Sequence, residues 1–298
     1  MTDLISRYDT ERLSDGIGLP EGFREAVRPV CREILHHRFA MFEAIGNNMR
    51  DPEAYVPLES ALRDECGFEP ELTRMAVYML LACDAEKTYR DRGRSLRIYL
   101  DSMREIAIWS KAYNRETGRI GIHDQLDWLT RFFQNSLVRL NRLEFEKISF
   151  PLPYEAEVHG ISIKPGDEVI NIHIPEDGPL LPDLVADSFR RAYRYFGCEG
   201  EAVFFCSTWI IWPQNREFMR EGSNILKFLD NFKIVGHEEA RYHRDLWRIF
   251  GKLDSFEPSG LPRNTDLQRR FADYLAEHDS VSGRGYGVFA HNGKEVLK

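Results

Sequence analysis

The sequence lacks several features that mark common protein classes. Its 298 residues carry 40 Lys and Arg against 48 Asp and Glu, a net charge of −8, whereas most nucleic-acid-binding proteins have a basic excess. No apolar run reaches the roughly 18 residues that a membrane span requires. Residues 1–9 contain neither the basic nor the apolar region of a secretory signal. We therefore expect a cytoplasmic protein that binds neither nucleic acid nor membrane.

Metal-binding and disulfide patterns are also missing. The chain has five cysteines, but no two of them form a C-x-x-C pair, which argues against a thiolate zinc site and a disulfide framework. His237 and His243 are six residues apart and do not form the H-E-x-x-H pattern of zinc hydrolases. We expect no bound metal.

The hydrophobic pattern changes near the midpoint of the chain. Before about residue 134, apolar residues recur at helical spacing, as at Leu72, Met75 and Met79. Beyond about residue 137, short alternating segments are separated by turns and amphipathic segments. The pattern predicts an α+β chain, with an all-α helical bundle followed by an α/β domain that has a mixed central sheet.

Two alternating segments of the second half carry the best candidates for catalysis. Residues 140–146 predict a strand with Arg142, Glu144 and Glu146 on one face, and residues 168–174 predict another with Asn171 and His173 on one face. His173 precedes a loop and a predicted helix, where open α/β sheets bind ligands. We take His173 as a candidate general base and Glu144 as a second proton acceptor. A structural histidine and an ordinary cross-strand salt bridge are the alternatives.

Three further segments of the second half carry predictions. Residues 201–211 are almost uninterruptedly apolar and predict a buried strand, and residues 225–235 predict another. The glycine-rich segment 283–287 is similar to a phosphate-binding loop, but such loops open a helix, whereas this one precedes a predicted strand. A glycine-rich turn is the favoured interpretation.

Motifs along nearly the whole chain resemble a bacterial family of acyltransferase-domain proteins. These pair a helical N-acyltransferase N-terminal domain with a GNAT-like C-terminal domain. The most specific matching segments are H-I-P-x-x-G-P-L, which begins at His173, and S-N-I-x-x-F, which begins at Ser223. The resemblance implies a helical N-terminal domain over residues 1–134 and a GNAT-like α/β domain over residues 135–298.

The resemblance also implies a reaction. An acyl group would pass from acetyl-CoA or another acyl-CoA, acting as co-substrate, to an amine or hydroxyl of a small-molecule or peptide acceptor. His173 or Glu144 would take the acceptor's proton, and Ser207 or Thr208 would protonate the leaving thiolate. The specific motifs and their neighbours supply the candidate cofactor-binding residues: Asn171, Gly178, Leu180, Ser223 and Asn224.

One departure from the family pattern leaves two other functions open. The usual pyrophosphate loop, Q/R-x-x-G-x-G/A, precedes no predicted helix here. The nearest equivalent follows His173 and contains one glycine, Gly178, after the acidic residues Glu176 and Asp177. A catalytically inert GNAT-like module that binds a small molecule or a protein is therefore one alternative, and hydrolysis through Cys206 or Ser207 is another.

Overall fold

The structure is a computed structural model that describes residues 7–49, 51–253 and 255–298. By their contacts, the residues divide into two compact units. The first unit extends to Leu140 and includes Pro175–Asp177, and the second contains Asn141–Ile174 and Gly178–Lys298. No helix of the described residues is both long enough and apolar enough to cross a membrane.

The described part of the first unit is helical up to its last segment. Its helices are α1 (Thr10–Ile17), α2 (Glu21–His37), α3 (Phe39–Asn47), α4 (Val56–Cys66), α5 (Pro70–Asp91), α6 (Leu96–Thr117) and α7 (Leu126–Phe133). Strand β1 (Leu137–Leu140) follows them. Met75 and Met79 of the stripe that predicted α5 are fully buried, and so are Val77 and Tyr78 between them, so the middle of α5 is the core of this unit.

The second unit is built around a mixed sheet. Its strands are β2 (Leu143–Ser149), β3 (Ala156–Val158), β4 (Ile161–Ile163), β5 (Glu168–His173), β6 (Ala202–Thr208), β7 (Lys233–Arg241), β8 (Val281–His291) and β9 (Val296–Leu297). Neighbouring strands follow the order β2-β5-β6-β8-β7, β9 pairs with β8, and β3 and β4 form a separate hairpin. Strands β5 and β6 are parallel, and the other pairs are antiparallel. The predicted α+β class with a mixed sheet is confirmed.

The two faces of this sheet are covered differently. The helices of the unit are α8 (Pro182–Tyr195), α9 (Asn215–Phe218), α10 (Asn224–Leu229), α11 (Trp247–Phe250) and α12 (Asp266–Glu277). On one face, Phe189 of α8 contacts Phe145, Phe204 and Phe289 of three strands. On the other face, the β3–β4 hairpin covers an apolar cluster that includes Val169 and Phe205.

The strand predicted over residues 225–235 is wrong. Residues 225–229 belong to helix α10, and β7 begins only at Lys233. The Ser223 hydroxyl accepts a hydrogen bond from the Leu226 amide at 3.3 Å and so caps the first turn of α10. This cap stabilises a helix in a segment whose apolar residues also suit a strand.

The glycine-rich segment also differs from the prediction, because its glycines lie inside β8 rather than in a turn before it. A Cβ atom on Gly285 would lie 2.1 Å from the carbonyl oxygen of Ile211, and one on Gly283 would lie 2.2 Å from that of Glu238. The missing side chains let neighbouring backbone approach β8 closely. The pattern is therefore a packing requirement.

A buried histidine makes the stability of the second unit depend on pH. His291 is 2 % exposed, and burial together with Arg190 lowers its pKa from 6.5 to about 4. Between these two values the unfolded chain binds more protons than the folded chain, so stability falls as the pH falls. We expect a loss of roughly 3 kcal/mol between about pH 6.5 and pH 4 from this group.

Urea unfolding at several pH values checks this expectation. In the His291→Asn variant the side-chain oxygen can still accept the bond that Gly293 donates to Nδ1 at 2.9 Å. The variant should therefore be less sensitive to acid than the parent protein. Parallel stability curves for the two proteins would contradict the prediction.

Candidate active site

The parallel pair at the centre of the sheet is joined over only part of its length. Strands β5 and β6 pair at Ile170–Phe204 and Asn171–Phe205. The two strands continue to His173 and Thr208, but no further residues of β5 and β6 are paired. Near this end the Cys206 thiol contacts the Ile172 carbonyl oxygen at 3.6 Å. An opening at the carboxyl ends of parallel strands is the usual ligand site of open α/β sheets.

Polar side chains lie on one face of the sheet, next to the unpaired ends of β5 and β6. Val169 and Phe205 belong to the apolar cluster beneath the β3–β4 hairpin. Because side chains alternate along a strand, Asn171 and His173 lie on the same face as Val169, and Ser207 lies on the same face as Phe205. The sheet thus changes on this face from an apolar half to a polar half.

His173 lies in a polar cluster with Asn171 and Glu146. Its Nε2 atom is 2.7 Å from Oε1 of Glu146 and 2.9 Å from the amide nitrogen of Asn171. In the strand register His173 lies opposite Glu144, as the sequence suggested, yet the carboxylate that contacts the imidazole is the diagonal one. Diagonal pairs lie within reach of long side chains, but a sequence does not specify the register that creates them.

The contact with Glu146 favours one tautomer of the imidazole. An ionised Glu146 only accepts hydrogen bonds, so Nε2 of His173 carries the hydrogen and donates it. The Asn171 amide, 3.4 Å from the same carboxylate oxygen, then donates to Glu146. In that tautomer the lone pair is on Nδ1. A carboxylate in this position orients an imidazole and stabilises its protonated form.

The loop after β5 is anchored by a buried arginine. Arg142 is 6 % exposed and donates to the carbonyl oxygens of Pro179 at 3.1 Å and Gly178 at 2.5 Å. In a trans peptide the carbonyl and the following N–H point in opposite directions. The amide of Leu180 therefore points away from Arg142.

Helix α8 follows this loop and begins without a side-chain cap. Its N-cap is Leu181, no side chain hydrogen-bonds the first turn, and Pro182 occupies the first helical position. First-turn amides have no partner within their helix, and the helix dipole favours negative charge at this end. The loop and the helix together form a potential anion site.

Two acidic residues of the loop, Glu176 and Asp177, belong to the first unit by their contacts. Each of them forms an ion pair with an arginine. Asp177 accepts two hydrogen bonds from the Arg139 guanidinium, at 2.9 and 2.8 Å. Glu176 forms an ion pair with Arg115. Each carboxylate therefore has a cationic partner that offsets its charge.

The residues at the end of β6 have different surroundings. The Ser207 hydroxyl contacts Nη1 of Arg284 at 3.5 Å, whereas the Thr208 hydroxyl accepts from the Ile210 amide at 3.3 Å and caps a turn. Cys206 is fully buried, and burial raises the pKa of its thiol. A thiol of this kind is a poor nucleophile. Arg284 cannot accept a proton from Ser207, so neither contact supports the hydrolysis alternative.

The remaining candidates lie at the start of α10. Ser223 caps this helix and Asn224 is its first residue. Helix α10 packs against α8 and the turn at Trp209–Ile211, so the capping contact gives Ser223 a structural role. Among the described residues, no group of three or more His, Cys, Asp or Glu side chains is placed to hold a metal ion.

Comparison with known proteins places both parts of the chain. A family model described as the GNAT-like C-terminal domain matches residues 137–289. A second, described as the N-acyltransferase N-terminal domain, matches residues 9–135. A search of curated proteins found no match.

Similar folds occur among solved structures. A mutant acyltransferase in complex with octanoyl-CoA has a TM-score of 0.66 and 18% identity, covering 94% of this chain and 87% of its own. An acyltransferase in complex with decanoyl-CoA and teicoplanin has a TM-score of 0.61 and 19% identity, covering 100% and 87%. At these identities the likeness is one of fold.

Proposed function

Because the chain belongs to the family with a GNAT-like C-terminal domain, we propose that it transfers an acyl group from an acyl-CoA to an amine or hydroxyl of a small-molecule acceptor. The resemblance noted in the sequence is confirmed by both family matches. The observation that carries the proposal is the polar cluster of His173, Asn171 and Glu146, which lies at the carboxyl end of β5, where its pairing with β6 ends. The acyltransferases of similar fold in complex with acyl-CoA and teicoplanin support it.

The residues present fit the phosphates of CoA. The Leu180 amide, turned away from Arg142, and the first-turn amides of α8 supply several donors without a second glycine. Gly178 has a φ of 156° and open space around its Cα, so backbone and ligand can approach closely there. Asn171 lies on the strand that leads into this loop.

The proposed transfer assigns His173 the role of the base. The acceptor nitrogen attacks the thioester carbonyl carbon, its proton passes to Nδ1 of His173, and the carbon–sulfur bond breaks with its electron pair on sulfur. The Glu146 carboxylate stabilises the imidazolium that forms. Glu144, opposite His173 in the register, is the second candidate proton acceptor.

The role of Ser207 needs one chemical correction. An alkoxide is a far stronger base than a thiolate, so a serine hydroxyl does not give up its proton to leaving CoA. It can still donate a hydrogen bond to the sulfur as negative charge develops there. Thr208 is less suited to this role because it follows Ser207 directly on β6, so its side chain lies on the opposite face of the sheet.

Binding and turnover test the proposal separately. A thermal-shift titration should use acetyl-, octanoyl- and decanoyl-CoA, with free CoA and a nucleotide as controls. A ligand at 100 times its Kd stabilises by about 2.7 kcal/mol, which is a shift of several degrees. A CoA-release assay with an amine panel then measures transfer.

The outcomes separate the three functions. Acceptor-dependent release supports the transferase. Saturable binding without release with any acceptor would favour the inert binding module, and release without an acceptor would favour a hydrolase. Neither a shift nor release with any acyl-CoA would overturn the proposal.

Arg142 offers a test of the phosphate site. Arg142→Lys keeps the charge but loses the planar fork that holds two carbonyl oxygens. A charge-assisted hydrogen bond contributes about 1.5–3 kcal/mol, so the KM for acyl-CoA should rise about tenfold or more. We expect kcat to change much less. Arg63→Lys, at an exposed position on α4, is the matched control, and an unchanged KM in Arg142→Lys would contradict the assignment.

A further inference from the structure

A second polar network lies on β8, beside the end of β6. Its centre is the ion pair of Arg284 and Asp245, whose side chains are 19 % and 7 % exposed. The Arg284 Nε and Nη2 atoms both donate to the Asp245 carboxylate, at 3.0 and 2.8 Å. Two donors on one carboxylate fix the plane of the guanidinium.

Asp245 is itself held in place. Its backbone amide donates to Nδ1 of His243 at 3.2 Å. Nε2 of His243 is then the protonated nitrogen, and it contacts Glu238 at 3.3 Å. Glu238 also accepts from Arg244 at 3.2 Å and lies 3.5 Å from Nε of Arg284. The network therefore orients Arg284 from several sides.

The third nitrogen of the guanidinium faces β6. Nη1 of Arg284 lies 3.5 Å from the Ser207 hydroxyl oxygen. An arginine has only donors, so in this contact the serine oxygen accepts. Its own hydrogen must then point to another acceptor. Ser207 lies in the part of β6 beyond its last pair with β5.

We propose that Arg284, held by Asp245, is a positioning residue that directs the Ser207 hydroxyl hydrogen towards the sulfur of the departing CoA. The inference rests on the proposed acyl transfer. When the carbon–sulfur bond breaks, its electron pair stays on sulfur and the hydrogen stays on Ser207. The hydrogen bond stabilises the thiolate, which leaves without receiving the serine proton. Contacts that seem long without substrate commonly tighten in the reacting complex.

The leaving group provides the test. Octanoyl-CoA releases an alkyl thiolate, whereas an octanoyl thioester of an aromatic thiol releases a thiolate whose charge is delocalised and needs less support. With octanoyl-CoA, Ser207→Ala should lower kcat about 10- to 100-fold, the range of a hydrogen bond to a charged group, with little change in KM. With the aromatic thioester the loss in kcat should be under about threefold.

Arg284→Lys should show the same dependence on the leaving group. The lysine leaves Asp245 with a cationic partner. A lysine lacks the planar guanidinium, so it cannot donate to Asp245 and Ser207 at the same time in a fixed geometry. Because both residues act on one hydrogen bond, the Ser207→Ala/Arg284→Lys double variant should be no slower than Ser207→Ala alone. Ser282→Ala removes a buried hydroxyl from the same strand and should leave kcat unchanged with both donors.

The results separate this inference from the proposed function. Equal losses with the two thioesters in Ser207→Ala, or multiplying losses in the double variant, would overturn the positioning role while leaving acyl transfer intact. A parent protein that transfers from no acyl-CoA would overturn the proposed function itself. Urea unfolding of each variant shows whether a loss reflects folding, and the Ser207→Ala comparison stands even if Arg284→Lys does not fold.

Discussion

The His173→Asn variant should lose about 100- to 10,000-fold in kcat for acyl transfer, the usual contribution of a general base. In the proposed reaction the imidazole takes the acceptor's proton and passes it on. Asparagine is close in size and retains a hydrogen-bonding group for Glu146, so the fold should survive. Because the proposed acyl-CoA site lies in the loop and α8, the thermal shift with octanoyl-CoA should remain.

Two further variants make this result specific. Glu146→Gln should also lower kcat, by about tenfold or more, because a neutral amide stabilises the imidazolium less than a carboxylate does. His159→Asn is the matched control, since His159 is exposed in a turn at a φ of 48°, a conformation that Asn tolerates. Full activity in His173→Asn would exclude this residue as the base and leave Glu144 as the candidate.

The sequence could identify the strand face of His173 but not its partner. Alternation along β5 is sufficient to place Asn171 and His173 together. Glu146 emerges only once the register between β2 and β5 and its diagonal contacts are known. Arg284 and Asp245, which are 39 residues apart, have no local signal that joins them. Contacts of this kind depend on the tertiary fold.

The fold itself was predictable where periodicity was strong. The apolar stripe from Leu72 predicted α5 correctly, although the burial of Val77 and Tyr78 between the stripe positions is set by packing around the whole helix. The prediction for residues 225–235 was wrong because their apolar content suits both a strand and a short helix. The Ser223 cap stabilises the helix. The glycines of β8 were assigned to a turn because their local signal is the same as that of a turn. These positions require glycine because the backbone at Ile211 and Glu238 lies close to the strand.

Gly285→Ala should lower the free energy of unfolding by about 3 kcal/mol, the upper part of the usual range for overpacking. The added Cβ would lie 2.1 Å from the Ile211 carbonyl oxygen, a backbone atom. The strand has little freedom to move away, because Gly285 pairs with Thr208 on one side and His237 on the other. At roughly 2–4 °C per kcal/mol, Tm should fall by about 6–12 °C in a calorimetric scan.

The control for this variant is Gly22→Ala. Gly22 is the second residue of α2, and a Cβ there meets no heavy atom within 4 Å. An alanine within a helix is favoured over glycine by up to about 1 kcal/mol, so this variant should match or exceed the parent in stability. A Gly285→Ala protein with an unchanged Tm but a raised KM for acyl-CoA would contradict the packing role and restore the phosphate-loop interpretation. Because packing and phosphate binding predict opposite patterns in Tm and KM, the pair of measurements decides what the β8 glycines do.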